Sequence, residues 1–483
     1  MEADLTADNA RVTMAHRNVV VLCLDTVRAD SFRVHADRIR DRAAIVHGGC
    51  RAPSAWSVPS HASLFTGELP HRHGVHTHAR HYDGVGPSDT FLGDLPDAYH
   101  TACISANRWV SDAFGVDRFF DETTFVPGGT VVPDAPNPVW EADGTLSALH
   151  DALTGDQSLG ALANVAADRV RAAMLDHPRL QGLPVPAPTD NGGTAVLERA
   201  RRAVVDRDDP VVCFANLMDA HAPYWHWRGM ADHGVSRRWS DRRLDTWAVN
   251  TAGDMGPFAD DVGALRALYD ARVRYLDRIV AEFLDSVVAA TARETTVVVT
   301  SDHGHNLAYP ADRGLLDHTS SLTEGLLHVP FAVVNPPTDG AVPSLNDGRH
   351  LPLRRLGSFV EGLVDDHLRD VTADRAAAEV VGRTPTWDDP PDDPRWDRAM
   401  RCVYDGDVKT VWDTTGETRR YDLAADRPSW QSEAGRRDGV PAADTDPPFG
   451  VPVESAKQRA VGRSSTAILD DGTARHLEQL GYR

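Results

Sequence analysis

Three short runs constrain the fold more than any other feature: Asn18–Asp25, Pro210–Asp219 and Thr295–Asp302. Each is almost continuously apolar, rich in β-branched residues, and closes on an aspartate. Unbroken hydrophobicity over six or seven residues, without polar alternation, is the pattern of strands buried on both faces, as in a largely parallel sheet covered by helices. Ligands of open α/β sheets sit at the carboxyl ends of the strands, so three acids delivered there are expected to converge on a site. Val273, Leu276, Val280, Phe283, Leu284 and Val287 recur at helical spacing just before the third run, as a crossover helix should. Val329–Val334 reads as a further strand, and the turn-rich stretch Pro336–Gly348 as the main domain boundary. Beyond it, Arg401–Tyr404, Lys409–Trp412 and Arg420–Leu423 are separated by Asp405-Gly406-Asp407 and Thr415-Gly416, which are hairpin signals. The expected fold is α/β: a large mixed, mostly parallel sheet sandwiched by helices over residues 17–340, with an insertion at about 128–193. A smaller α+β subdomain carrying an antiparallel sheet is expected over 341–483.

Composition narrows the function classes. The 483 residues carry 50 Lys+Arg against 71 Asp+Glu, a net charge of -21, and only Lys409 and Lys457 are lysines. Acid-rich, lysine-poor chains of this haloarchaeal type stay hydrated in a high-salt cytoplasm, where salt screens carboxylate repulsion. The same charge opposes a phosphate backbone, so no nucleic-acid partner is expected. No window approaches the roughly 20 apolar residues of a membrane span, so no membrane insertion is expected. The start, Met1-Glu2-Ala3-Asp4, has neither the basic nor the apolar segment of a secretory leader. Five scattered cysteines without CxxC spacing indicate reduced thiols and no zinc knuckle. The chain reads as cytoplasmic.

Ser57 to Gly67 reads as a helix with Pro59 in its first turn and Gly67 as its stop. Ser57 then lies at the helix N-terminus, where amides and dipole favour an anion. Asp302-His303 at one strand end and Asp25 at another add two carboxylates and an imidazole. With Ser57 they form a mixed oxygen and nitrogen shell suited to one divalent cation, Mg²⁺, Mn²⁺, Ca²⁺ or Zn²⁺. A cation beside a serine oxygen lowers the hydroxyl pKa and orients it for attack.

These pieces, taken in order, resemble the sulfatase family of the alkaline phosphatase superfamily. The resemblance runs through Asn18–Asp30, Ser57–Gly67 with Pro70-His71-Arg72-His73-Gly74, Leu217–Tyr224, Tyr275-Leu276-Asp277, Thr300–Gly304, His318–Pro330 and Leu477–Tyr482. It implies that Asp25, Ser57, Asp302 and His303 hold the metal and that Ser57 stands at the nucleophile position. His221 and His318 match substrate-contacting positions, and one of them would protonate the departing alkoxide. Asn107 falls near a substrate-contacting position, His61 follows the nucleophile where a typical sulfatase has arginine, and Arg28 could help neutralise the oxyanion. Histidines 71, 73, 76, 78 and 81 read as a surface loop near the site, and Tyr275 and Asp277 as packing and surface residues.

Two departures from the family pattern bear on chemistry. Asp25 is followed by Thr26, where typical sulfatases carry a second acid. The string Ser57-x-Pro59-x-His61 lacks the arginine of the motif that directs conversion to formylglycine. Three activities stay open: hydrolysis of sulfate esters of a small anionic ester or sulfated glycan; a phosphodiesterase, phosphomonoesterase or phosphoglycerol-type phosphotransferase with unmodified Ser57; and a non-catalytic sulfatase-like binding protein.

Overall fold

A computed structural model describes residues 16–140, 144–155, 157–176, 189–290, 293–338, 348–384, 393–424, 427–462 and 473–474. The Leu477–Tyr482 motif and most of the Pro336–Gly348 break lie outside the described residues.

The three apolar runs form adjacent central strands. The main sheet comprises β1 (Asn18–Leu24), β2 (Ile45–Val46), β3 (His100–Ser105), β4 (Glu122–Phe125), β5 (Val211–Leu217), β6 (Thr295–Thr300) and β7 (Phe331–Val334), in the order β2-β7-β6-β1-β5-β3-β4. From β6 to β4 every pairing is parallel, whereas β7 runs antiparallel to both β6 and β2. All residues of β1, β5 and β6 are buried, which is why these strands tolerate no polar alternation.

Helices flank the sheet. The helix α1 (Ser57–Thr66) packs with α4 (Leu356–Val364), which also touches β1. The helix α2 (Gly193–Val205) lies over β5 and against α3 (Ala259–Ala290). The predicted apolar stripe of α3, Val273 to Val287, is buried as its spacing requires. Between β4 and α2 the helices Thr145–Thr154 and Ser158–Asp176 form a satellite core around Ala148, Ala152, Ala161 and Val165.

The C-terminal residues form a five-stranded antiparallel meander: β8 (Arg375–Val381), β9 (Ala399–Asp405), β10 (Val408–Asp413), β11 (Glu417–Ala424) and β12 (Arg427–Asp438). Gly406 and Gly416, at the two predicted turns, adopt φ of 55° and 80°, the left-handed region tight hairpins require. Two buried carboxylates tie this sheet to the rest of the chain. Glu324 accepts from Lys409 Nζ (2.8 Å), Tyr404 Oη (2.6 Å) and Arg51. Glu379 accepts from Arg401 Nε (2.7 Å) and His71 Nδ1 (2.9 Å).

Candidate active site

The carboxyl ends of four neighbouring strands meet the first turn of α1. Asp25 follows β1, Asp302 and His303 follow β6, Asn216 sits near the end of β5, and Asn107 follows β3. Ser57 is the first residue of α1, whose N-terminus is thereby aimed at these side chains. Pro59 occupies the first turn, and Gly67 stops the helix at φ 74°.

Ser57 Oγ lies 3.4 Å from Asp25 Oδ2 and 3.3 Å from His303 Nε2. Asn107 Nδ2 donates to both Asp25 Oδ2 (2.8 Å) and Ser57 Oγ (3.1 Å), so Asn107 lies on the floor of the cluster, fully buried. His303 Nε2 is 3.3 Å from Asp302 Oδ2 and 4.0 Å from Asp25 Oδ1. Its Nδ1–H donates to the Gly304 carbonyl (2.8 Å), which leaves the Nε2 lone pair facing the acids. Burial pushes the His303 imidazole down to about 3, so it is neutral and able to ligate.

This arrangement can be tested for its fit to a cation. Asp25 Oδ1 and both oxygens of Asp302 are buried without any hydrogen-bond partner. Among the described residues neither carboxylate forms an ion pair with arginine or lysine. Two buried carboxylates with three unpartnered oxygens are unstable unless a positive charge joins them, and the ligand atoms of Asp25, Asp302 and His303 lie within 4.8 Å of one another. The donor set, oxygen-rich with one imidazole, fits a divalent ion.

His61 lies beneath Ser57. Its Nδ1 donates to the Ser57 carbonyl (2.8 Å), its Nε2 accepts from Asn216 Nδ2 (3.1 Å), and Asp302 Oδ2 is 3.4 Å from Nδ1. Both ring nitrogens are therefore engaged within the fold. His221 and His318 stand side by side, their rings 5.5 Å apart and edge-on, and His318 stacks on His303 at 5.4 Å. Their environments push them apart. Burial lowers the His221 imidazole; burial would lower His318 as well, but the Asp317 carboxylate bonded to its Nδ1 outweighs this and raises it. A group raised beside one lowered is the arrangement of an acid and its neutral neighbour.

Several expectations are corrected by the geometry. Arg28 is not among the cluster. It is fully buried, and it donates to Asp30 (2.8 Å from both Nε and Nη2), to Asp312 Oδ2 (2.9 Å) and to the His305 carbonyl (2.9 Å). It braces the backbone at His305, next to Gly304, whose added Cβ would lie 2.1 Å from the Gly325 carbonyl. Nor do three strand-end acids converge. The Asp219 carboxyl turns toward α2, accepting from the Asn191 amide (3.0 Å), and burial together with Asp190 raises it well above the usual range. His71 and His73 do not belong to a surface loop: His71 pairs with Glu379, and His73, whose Nδ1 accepts the Val75 amide (3.0 Å), donates from Nε2 to Ser63 Oγ (3.0 Å). Asp277 is 5% exposed and accepts the amides of Arg38 and Ile39, capping the helix Asp37–Arg42.

Three participants escaped sequence reasoning. Asn216, in the middle of an apolar run, donates to both His61 and Asp25. Asp317 partners His318, and His305 sits beside both. Their signal was a second Asp-His dipeptide, 317–318, repeating 302–303.

Beside His305 and Asp317 opens a cavity of about 300 Å³, also walled by Tyr224, Asp241 and Leu316. Among the described residues no helix is long and apolar enough to cross a membrane.

Comparison with known proteins gives the same answer from outside the molecule. No curated protein sequence matches the chain. Solved structures match along almost its whole length. A 2-O GAG sulfatase covers 95% of this chain and 92% of its own at 13% identity, with a TM-score of 0.53. The phosphonate monoester hydrolase of Agrobacterium radiobacter covers 95% and 96% at 14% identity, with a TM-score of 0.55. The phosphonate monoester hydrolase from Silicibacter pomeroyi covers 93% and 96% at 14% identity, also with 0.55. At such identities these likenesses establish the shared fold, a mixed sheet flanked by helices with a C-terminal antiparallel sheet. The sulfatase family profile, however, matches residues 17–349, more than half of the sequence and all of the strand ends described above: the chain belongs to the sulfatase family and is a sulfatase-like hydrolase.

Proposed function

We propose that this protein hydrolyses sulfate esters with Ser57 at the nucleophile position and one divalent cation held by Asp25, Ser57, Asp302 and His303. The observation that carries this reading is the trio of unpartnered carboxylate oxygens on Asp25 and Asp302, gathered with His303 Nε2 around Ser57 Oγ. A bound divalent ion supplies Lewis acidity there, lowering the hydroxyl pKa and screening the anionic ester.

The protein's own groups divide the remaining work. Asn107 fixes Ser57 Oγ against Asp25, donating one amide hydrogen to each. The N-terminal end of the α1 dipole favours the same anionic ester. His318, held by Asp317, carries the proton for the departing alkoxide, while neutral His221 lines the same side.

A second reading has its own observation. His61 spends both ring nitrogens on Ser57 O and Asn216, so it does not supply the cationic side chain that the formylglycine motif carries at this place. Unmodified Ser57 would form an ester that water or another alcohol must resolve, which is phosphoester chemistry or transfer. Purified enzyme is to be assayed on aryl sulfates, phosphate monoesters and phosphodiesters, with and without Mn²⁺ or Ca²⁺, beside Ser57→Ala. Metal-dependent sulfate release abolished in Ser57→Ala supports the leading reading, and turnover of no ester sinks it. The intact mass of the Ser57 peptide separates the two: loss of two hydrogens is formylglycine, and unchanged mass favours phosphoester chemistry.

A further inference from the structure

The two helices of the insertion between β4 and α2 turn apolar side chains to solvent. Among the described residues the exposed leucines are Leu146 (85%), Leu153 (61%) and Leu159 (84%), and all three belong to this helix pair, as does Val170 (51%). We propose that this face pairs with the same face of a second copy of the chain, making the protein a two-fold homodimer joined along the helix Ser158–Asp176.

That helix is inverted relative to an ordinary surface helix. At 3.6 residues per turn, Ala161, Asn164, Val165, Asp168 and Arg171 share one face, and all five are buried. The opposite face carries Leu159, Ala163, Ala166 and Val170, spaced by four, three and four residues, and continues to Met174 without a charged or hydrogen-bonding side chain. Polar groups inward and aliphatic groups outward are the reverse of what water selects, and a contiguous apolar face of this kind marks a contact surface.

The order of sizes names the partner. Large, small, small, large reads the same from either end. About an axis midway between Ala163 and Ala166, an antiparallel copy sets Leu159 against Val170 of the partner subunit and Ala163 against Ala166 of the partner subunit, so that each contact occurs twice, as a two-fold interface requires. Alanines at the crossing let the backbones approach, and the branched side chains close the two ends.

Charge favours the same partner. With -21 on each chain, two copies repel wherever their acidic surfaces meet, but the outward positions from Leu159 to Met174 set no carboxylates against one another. A lipid surface is disfavoured, because helices that lie on membranes rim their apolar face with lysine and arginine, and Arg169 is the only cation of this helix apart from the buried Arg171. A stable pair takes about 800 Å² from each partner, more than one four-residue seam supplies. Leu146, Leu149 and Leu153, at helical spacing on the helix Thr145–Thr154, extend it. Leu149 and Leu162 both pack on the satellite core that the two helices share, which carries the apolar surface from one helix to the other.

The test reads assembly of the full chain, so it does not depend on which ester Ser57 attacks. Sedimentation equilibrium in concentrated KCl, over a hundredfold range of protein concentration, is expected to give twice the 52.6 kDa chain mass for wild type. Leu159→Asp places a carboxylate in the seam and should weaken association at least a hundredfold, with the far-UV circular dichroism unchanged because the side chain faces outward. A cross-link fixes the orientation independently. All five native cysteines are buried, so introduced thiols report alone. Leu159→Cys and Val170→Cys, oxidised with copper phenanthroline, should cross-link at least tenfold faster when mixed than either does by itself. A monomer at every concentration, a dimer that Leu159→Asp leaves intact, or equal cross-linking of the single variants and the mixture overturns the proposal. So does a monomer that Leu159→Asp unfolds, which would assign the face to the chain's own interior, and so does binding to phosphatidylcholine vesicles that Leu159→Asp abolishes, which would assign it to lipid.

Discussion

Arg272 Nη1 donates to the carbonyl of His221 at 2.8 Å, from the middle of α3 to the loop that follows β5. The same guanidinium bonds the carbonyls of Pro223 (2.9 Å) and Trp225 (3.1 Å), and Tyr224 and Trp227 cover it at 4.8 Å and 4.2 Å. One buried cation thus fixes a loop that carries His221 and one wall of the cavity. Replacing it leaves these carbonyls, and that of Asp219 (3.4 Å), without this donor, at about 1–3 kcal/mol for each that stays dry. Arg272→Lys is expected to fold, because the charge is kept, but to lower kcat by roughly tenfold or more, since a point ammonium cannot span the carbonyls that a planar fork spans. A hydrogen-exchange measurement showing loosening confined to 219–227, with kcat lowered and global stability nearly intact, checks the assignment.

On the proposed reading, removal of the cation should make the paired acids a liability. Asp25 and Asp302 then face each other across Ser57 with three unpartnered oxygens. Asp302→Asn is expected to lower activity by on the order of 100-fold, yet to raise the Tm of chelator-treated protein by roughly 2–5 °C, because one uncompensated buried charge is gone. The opposite sign with metal present, a lower Tm for Asp302→Asn than for wild type, completes the test by differential scanning calorimetry.

What the chain declared about itself follows from the range of each interaction. The strands β1, β5 and β6 were legible because burial on both faces forces unbroken apolar runs, and α1 because Pro59 and Gly67 punctuate it. That Asp25, Ser57, Asp302 and His303 come together was legible because each sits at an element end. The fates of Arg28 and Asp219 were not: Asp30 lies two residues from Arg28, but Asp312, which also holds it, lies 284 residues away and Asn191 lies 28 from Asp219, and local pattern carries no trace of such partners. Asn216 was hidden by its strand: one amide in a buried apolar run reads as a defect until Asp25 and His61 are seen beside it.

Asp317 offers a test of leaving-group protonation. It holds His318 through Nδ1 and through the His318 amide (2.7 Å). Asp317→Asn removes the charge that keeps the imidazole protonated while retaining the size of the side chain. The loss should scale with how badly the alcohol needs a proton. Roughly 100-fold or more is expected for an alkyl ester and under tenfold for a nitrophenyl ester, within the usual span of general acid catalysis. A parallel loss on both substrates would mean that Asp317 acts only on folding or binding.

Acid stability should be set by the two carboxylates that dock the C-terminal sheet. Burial alone would raise Glu379 and Glu324, but His71 with Arg401, and Arg51 with Lys409, hold each at about 2 from an ordinary value of 4.5. A carboxyl whose folded pKa is depressed contributes stability fully above the unfolded value and loses it as pH falls through the folded one. The window is therefore about pH 4.5 down to about 2, and each residue accounts for on the order of 3 kcal/mol across it. Glu379→Gln is expected to lower stability at pH 7, where it leaves the buried Arg401 with Asp444 as its one carboxylate partner, and to flatten the acid limb, because the group that titrated is gone. Urea midpoints of wild type and variant measured at pH 7, 5, 4 and 3 should converge toward the acid end. Parallel curves would show that the pairing of Glu379 with His71 and Arg401 does not govern how the meander stays attached.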